Sequence, residues 1–142
     1  MARTIDSAKR VINGTWGEAW VDGEKVAECS AAQAKVGKNK TTINLCGQFM
    51  EDTKAVSGKG TGSLTLHHVD SGFVQRESGI QDGIDVRCTV ILKLSDPDSW
   101  GAERVALYNV SFDDMTLADW KAATVGSVTA PFTFSRYELL DL

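Results

Sequence analysis

The sequence predicts a mainly β protein, an antiparallel β-sandwich or barrel-like fold with one flanking α-helix. Three segments of its second half carry this prediction, because each alternates apolar and polar residues over the length of a strand. They span 85–95, 103–114 and 128–137, and the glycine-punctuated segment 58–66 adds a fourth. Strands this long and regular indicate a protein that functions through an extended surface made of strands. We therefore expect a building block rather than a catalyst.

Length and composition indicate one soluble globular domain. The chain has 142 residues, of which 42% are hydrophobic and 24% charged, and this fits a single core. The net charge of −4 and the scattered basic residues argue against a protein that grips nucleic acid by its phosphates. A signal peptide and a membrane span are not expected, because no long apolar run is present. Three cysteines, Cys29, Cys46 and Cys88, lack metal-ligand spacing, so we expect reduced thiols.

The first quarter of the chain predicts an arm and a hairpin. Residues 1–14 are polar and weakly patterned, so we expect an N-terminal arm that precedes a single domain over 15–142. Alternation over 15–21 predicts a first strand, and Asp22-Gly23 suits the positive φ of a tight turn. The return strand is expected over 25–36.

A second hairpin and a long loop are predicted next. Gly37-Lys38-Asn39 is interpreted as a reversal, and 40–46 has the β-branched alternation of a partner strand. Segment 47–60 has no sustained period and three glycines. It therefore predicts a loop of a length that is usually functional or mobile in a small domain.

Strand alternation resumes over 61–67, and apolar residues at helical spacing then predict one short helix over 69–81. Of the long strands that follow, 103–114 carries apolar residues on both faces near its start. A sheet with two partly apolar faces needs a second cover, from a helix or from a neighbouring subunit.

Two loops and one edge complete the pattern. Segment 95–102 is turn-rich, and 117–123 is compatible with a helical turn or a short strand. Pro131 suits an edge strand, which at a chain terminus is a docking site for another subunit.

No residue set predicts catalysis, a cofactor or a metal. His67 and His68 are adjacent, so on a strand they point to opposite faces and cannot jointly hold one metal in the usual way. The segment Gly58–Gly62 fails the phosphate-loop motif twice, because Thr53 and Gly60 replace the required glycine and hydroxyl residue. Acidic pairs are read as solvated turn charges. The tryptophans are read as core or interface packing residues rather than as a sugar or base platform; they are Trp16, Trp20, Trp100 and Trp120.

The order of several short motifs resembles the tail tube protein of contractile-tailed phages and phage-like particles, in the branch found in defective prophages and phage-tail-like bacteriocins of Gram-positive bacteria. The resemblance covers about residues 14–137. Its motifs are Lys38-Asn39-Lys40 before a strand ending at Gly47, Gly60-Thr61-Gly62, Val69–Phe73, ERVALYNVSF at 103–112, and Pro131-Phe132-Thr133-Phe134.

The resemblance implies an assembly function. Six subunits are expected to form a ring whose inner sheets join into one barrel, and rings are expected to stack into a hollow tube for DNA and the tape-measure protein. The implied partners are further copies of the chain, the tail sheath, the tape-measure protein and the baseplate initiator, with DNA passing without specific binding. The implied location is the virion tail, assembled in the bacterial host cytoplasm.

The resemblance also places an inter-ring loop on 47–60, which we expect to be disordered in the free subunit and ordered after stacking. The N-terminal arm is a second candidate for contact between rings. Candidate subunit or ring interface residues are therefore Gly47, Gln48, Phe49, Met50, Glu51, Asp52, Lys54, Lys59, Arg3 and Arg10.

Three alternatives stay open from the sequence. A tube protein of a type VI-like contractile injection system has the same fold and a different cargo. A monomeric ligand-binding β-barrel uses the tryptophans for a small molecule or sugar. An enzyme using His67 and His68 is the third.

Overall fold

The computed structural model describes residues 4, 6–26, 29–69, 75 and 78–141. Eight strands carry the fold, and short 3-10 turns at Ala8–Arg10, Gly14–Trp16 and Ser78–Asp82 lie between or before them. The strands are β1 (Gly17–Val21), β2 (Glu24–Lys25), β3 (Cys29–Ile43), β4 (Asp52–His67), β5 (Cys88–Leu94), β6 (Glu103–Phe112), β7 (Ser127–Phe134) and β8 (Arg136–Asp141).

All strand pairs are antiparallel, and β6 is shared by two sheets. The order is β2-β1-β5-β6-β7-β4-β3, with β8 paired to β6 off this path. In the first sheet (β2-β1-β5-β6-β8), β6 pairs with β5 over 103–110 and with β8 over 104–108. In the second sheet (β6-β7-β4-β3), its last two residues, Ser111 and Phe112, pair with β7. The two sheets therefore meet along one bent strand, as the corners of a sandwich do.

The two positions at which the chain passes from one sheet to the other lie next to each other. Asn109 has a φ of 58°, which bends β6, and Ser135 separates β7 from β8. The Asn109 side-chain amide donates a 3.1 Å hydrogen bond to Ser135 Oγ, and the Ser135 N–H donates to the Tyr108 carbonyl. Asn tolerates the left-handed conformation better than most residues. The bend explains why Leu107 and Val110, three apart, are both buried.

The core lies between the two sheets. It is built from one face each of β1, β4, β5, β6 and β7. Phe132 is fully buried at its centre and meets Phe112 edge to face, with ring centroids 5.7 Å apart. The buried members are Ala19, Val21, Leu64, Leu66, Cys88, Val90, Leu107, Val110, Phe112, Ala130, Phe132 and Phe134.

Two glycines of β4 receive the aromatic rings of β7. Gly60 lies opposite Phe134 and Gly62 opposite Phe132 in the ladder. A Cβ on Gly60 would lie 2.5 Å from the Phe134 ring, and one on Gly62 would overlap the Gln33 carbonyl oxygen and the Phe132 ring. The glycine pair is thus a packing feature of a strand, as the failed phosphate-loop motif indicates.

The predicted mainly β class is confirmed. The predicted helix over 69–81 falls largely outside the described residues. Within it, Gln75 is helical and Ser78–Asp82 forms a 3-10 turn.

The predicted reversal at 37–39 is wrong, and the predicted loop at 47–60 is confirmed only over 47–51. Gly37, Lys38 and Asn39 lie inside β3, none has a positive φ, and they pair with 57–59 of β4. The chain reverses instead at 44–51, where Gly47 has a φ of 83°. Residues 52–60, which were expected to be disordered, are therefore strand.

The first hairpin is shorter than predicted. Among the described residues that follow the turn, β1 pairs with Glu24 and Lys25, and its longer partner is β5. Residues 29–36 join β4 instead.

The edge placement of Pro131 is also wrong, because β7 lies between β6 and β4. Proline is tolerated there because the β6–β7 ladder ends beside it. The last bond runs from the Asp113 N–H to the Pro131 carbonyl.

The close packing of the β7 rings against Gly60 and Gly62 leads to a prediction about stability. We expect Gly62→Ala to lower the free energy of unfolding by at least about 1–3 kcal/mol, because the backbone oxygen of Gln33 cannot move aside as a side chain can. Denaturant unfolding of the subunit measures the change. Gly58→Ala is the matched control in the same strand, since its Cβ would meet nothing closer than 3.7 Å. Equal midpoints for the two variants would contradict the packing role.

Candidate assembly surface

The hairpin formed by β3 and β4 extends beyond the body of the protein. The pairing of β4 with β7 ends at Gly60, but the pairing of β3 with β4 continues from Val36↔Gly60 to Ile43↔Asp52. We call residues 36–60, including the turn at 44–51, the ribbon. At about 3.3 Å per residue its strands project roughly 25 Å from the body. Within the described residues no third strand pairs with either ribbon edge.

Apolar side chains of the ribbon are exposed. Phe49 at the turn is fully exposed and Met50 is 74% exposed. Further exposed members are Val36, Ile43, Leu45 and Val56. Inside the body, β4 buries Leu64 and Leu66, so burial along β4 ends where its pairing with β7 ends.

An isolated two-stranded ribbon is marginally stable in water, and contiguous exposed apolar residues mark interaction sites. The Asn39 amide donates a 2.8 Å hydrogen bond to Ser57 Oγ across the ribbon, but this bond is itself exposed. The ribbon therefore has the physical character of a surface that a partner completes.

The ribbon is positively charged on a negative protein. Together with Lys35, which directly precedes it, the ribbon carries five lysines and two acids over residues 35–60, a net charge of +3. The other residues carry ten basic and seventeen acidic groups, a net charge of −7. This separation of charge favours contact between the ribbon of one molecule and the body of another.

Two more edges accompany the ribbon. β3 has 15 residues and closes one end of the strand order, while β8 lies beside β6 with Tyr137 and Leu139 half exposed. The Tyr108 hydroxyl donates a 2.9 Å hydrogen bond to Glu138 on β8, and this bond, followed by desolvation, raises the pKa of Tyr108. Arg136 lies 4.9 Å from the centroid of the same ring. β8 is thus held on its inner side and open on its outer side.

Two open grooves border these edges. One of 640 Å³ lies between β3 and the first sheet, with Ala34, Leu92 and Val105 among its lining residues. The other, of 370 Å³, lies at the base of the ribbon beside Phe134 and Tyr137.

The N-terminal segment folds back on its own subunit. Arg10 Nη1 donates a 3.1 Å hydrogen bond to the Asp98 carbonyl, and its guanidinium lies 5.5 Å from the Trp100 ring centroid. The Asn13 N–H donates to Asp96, whose second carboxylate oxygen accepts from the Asp98 N–H. Asp96 is buried and its two oxygens are occupied, which is how proteins compensate a buried carboxylate.

The structure separates the predicted interface residues into two groups. Gly47 to Lys59 share the ribbon, with the first five in its turn and Asp52, Lys54 and Lys59 on β4. Arg10 lies apart from them, against the loop at 96–100. Arg3 lies outside the described residues. Because a reversal was predicted at 37–39, Val36 and Ile43 were not included among the predicted interface residues. The strand alternation around them is the sequence feature that could have identified them.

The four tryptophans differ in exposure and in the elements that carry them. Trp20 is half-buried on β1, whereas Trp16, Trp100 and Trp120 are exposed. Trp120 is 83% exposed within the irregular segment 113–126. That segment settles the open choice over 117–123, which is neither helix nor strand.

The described residues hold no cluster of three or more His, Cys, Asp or Glu side chains arranged to bind a metal ion. None of the helices in the described ranges has the length and apolarity to cross a membrane.

Comparison with known sequences identifies a family. The profile of the family described as "Phage tail tube protein" matches residues 5–141. The chain is 33% identical over 135 residues to the phage-like element PBSX protein XkdM of Bacillus subtilis (strain 168), covering 93% of this chain and 92% of that protein.

Solved structures share the fold. A chain of the sheath–tube complex of an extracellular contractile injection system (PVC, extended state) superposes with a TM-score of 0.74 at 10% identity, covering 99% of this chain and 100% of that one. A chain of the 6-fold symmetrised anti-feeding prophage baseplate has a TM-score of 0.64 at 11% identity, covering 87% and 90%. These structural likenesses concern the fold alone.

The anchoring of the N-terminal segment generates a prediction. We expect Asp96→Ala to speed trypsin cleavage after Lys9 and Arg10, because the N–H groups of Asn13 and Asp98 lose their acceptor. Limited proteolysis with N-terminal mass analysis measures the rate. Asp98→Ala is the control, because it removes the same charge from an exposed side chain and keeps the carbonyl that Arg10 uses. Equal cleavage rates in both variants would refute the anchoring role of Asp96.

Proposed function

The chain belongs to the phage tail tube protein family, and we propose that its subunits join edge to edge into six-membered rings that stack into a hollow tube. Its role as a structural tube protein follows from the family match over residues 5–141. The arrangement of the subunits in that tube is the proposed part.

The observation that carries the proposal is the ribbon, with its two open edges and its exposed apolar side chains. Pairing with a neighbour's strand satisfies the N–H and C=O groups of an open edge, so an aggregation hazard becomes an assembly rule. The subunit offers unlike edges, β3 with the ribbon on one side and β8 on the other. Contact between unlike edges is heterologous, and it forms a closed ring when the rotation between copies closes.

Six copies and the further partners are supported by the relatives. The 6-fold symmetrised baseplate and the sheath–tube complex contain chains of this fold. We accordingly propose a sheath around the tube and a baseplate initiator at its end. DNA and the tape-measure protein would occupy the lumen, and the net negative charge suits a wall along which a polyanion slides without sticking. Assembly is assigned to the bacterial host cytoplasm and the product to the particle's tail.

The ribbon residues identified from the sequence take the contact role in this proposal. Phe49 and Met50 supply apolar area, and Lys54 and Lys59 supply charge. Because Arg10 is engaged with its own subunit, its contribution would come from the outer face of the anchored N-terminal segment.

A monomeric ligand-binding protein is the second candidate, and the 640 Å³ groove is the observation that favours it. That function requires a stable monomer whose melting temperature rises when a small apolar molecule is added.

Electron microscopy tests the assembly proposal. We expect negative-stain images of the purified protein over a concentration series to show rings or hollow tubes. Co-expression with the baseplate proteins encoded beside it supplies the nucleus if the subunit does not start a tube alone. Featureless monomers in both preparations would overturn the proposal.

Hydrogen exchange tests the role of the ribbon within the assembly. We expect ribbon amides at 36–43 and 52–59 to exchange faster in the free subunit than in the tube, because a neighbour closes the open edges only after assembly. Amides at 60–67 of β4 are the internal control, since β3 and β7 flank them in the subunit itself. The same fast exchange of the ribbon in both states would remove it from the interface.

A further inference from the structure

The ribbon and the 113–126 segment lie at opposite ends of one strand. β4 starts at Asp52 beside the ribbon turn and ends at His67, where it pairs with Ser127 of β7. The His68 N–H then donates a 2.9 Å hydrogen bond to the Gly126 carbonyl, which is the last residue of the 113–126 segment. Sixteen residues of strand place the two surfaces about 50 Å apart.

We call residues 113–126 the end loop. Both of its ends are fixed, by the bond from the Asp113 N–H to Pro131 at 2.8 Å and by the bond at Gly126. Inside it, the Thr124 N–H donates to the Lys121 carbonyl, and Ala123 has a φ of 61°. The end loop is thus a defined turn held against the body.

The end loop presents apolar side chains to solvent. Leu117, Trp120 and Val125 are 72%, 83% and 82% exposed. A fourteen-residue segment that leaves all of its large apolar groups outside the core contributes little to folding. Tryptophan is the residue type most enriched among binding hot spots.

The charge of the end loop is opposite to that of the ribbon. Asp113, Asp114 and Asp119 outnumber Lys121, which gives a net charge of −2 against +3 on residues 35–60. The three aspartates are exposed, as are the ribbon lysines. The lysines lie along the two ribbon strands, with Lys40 and Lys54 nearest to the turn, whereas the turn itself carries Glu51 and is followed by Asp52. Apolar side chains are therefore present on both surfaces, and the charge opposite to that of the end loop lies on the ribbon strands.

We propose that the end loop of one copy receives the ribbon turn of a second copy, with Trp120 against Phe49 and Met50 and the aspartates beside Lys40 and Lys54 of the ribbon strands. The inference rests on the proposed stacking of rings and names the two surfaces that stack. Because the surfaces differ and point in opposite directions along β4, the contact is head to tail and does not close on itself. One kind of contact then extends the tube without limit.

Trp120→Ala tests the apolar half of the contact. We expect rings to form as in the wild type, while the protein concentration needed for tubes, measured by sedimentation and electron microscopy, rises at least tenfold. Trp16→Ala is the matched control, because it removes an exposed tryptophan outside both surfaces. Thermal unfolding should be unchanged in both variants, since neither side chain lies in the core.

A charge exchange tests the other half and does not depend on Trp120. We expect the pair Lys40→Glu and Lys54→Glu, and separately the pair Asp113→Lys and Asp114→Lys, to raise the concentration needed for tubes. The four substitutions together should restore it towards the wild-type value, because the attraction is rebuilt with reversed signs. Failure of the combined variant to recover would overturn the proposed pairing.

The outcomes distinguish this inference from the proposed function. Absence of rings and tubes in the wild type, with the initiator present, refutes the assembly proposal itself. Tubes from Trp120→Ala at the wild-type concentration refute the end loop alone. Loss of rings together with tubes in that variant also refutes it, because the loop would then lie between neighbours within a ring.

Discussion

The pairing of β4 with β7 is the constraint on which the rest of the structure depends. Gly60 and Gly62 have no side chain because the rings of Phe134 and Phe132 occupy that space, so a shift of the ladder by one residue would place a ring against Thr61. A one-residue slip would also turn Leu64 and Leu66 away from the core. The register is therefore specified by shape on both strands, and it determines where β4 leaves the body and the ribbon begins.

The two sheets hold each other through their corners. β6 passes from one sheet to the other at Asn109, and the chain passes back between β7 and β8 at Ser135. The hydrogen bond between these side chains ties the two crossings together at 3.1 Å. Since β8 is the outer strand of the first sheet, its position as an edge depends on the same corner that ends β7. The open edges of the subunit are consequently placed by its most buried strands.

The sequence predicted best where burial shapes the pattern. Cys88, Val90, Phe132 and Phe134 alternate because one face of each strand meets the core, and the β class follows from them. The ribbon residues up to Lys59 are exposed, so no contact with the core imposes an alternating pattern on them. Gly37, Lys38 and Asn39 therefore resembled a turn, although they pair within a strand. The same reason made 52–60 resemble a loop. The predicted interface residues from Gly47 to Lys59 nevertheless lie together on one hairpin, because the resemblance pointed to this whole stretch of chain and did not depend on its strand geometry. Trp120 had a sequence signal, a large aromatic in a polar segment, but its exposure outside any helix or strand is visible only in three dimensions.

The freestanding ribbon limits how relatives of this protein can vary in length. An insertion of one residue in each ribbon strand would exchange the two faces of every residue beyond it, and the turn would present a different side chain pattern to its neighbour. An insertion of two residues in each strand preserves the faces and lengthens the ribbon by about 7 Å. The spacing between successive layers of such a particle is therefore expected to change across evolution in discrete steps, each set by one pleat of a β-strand.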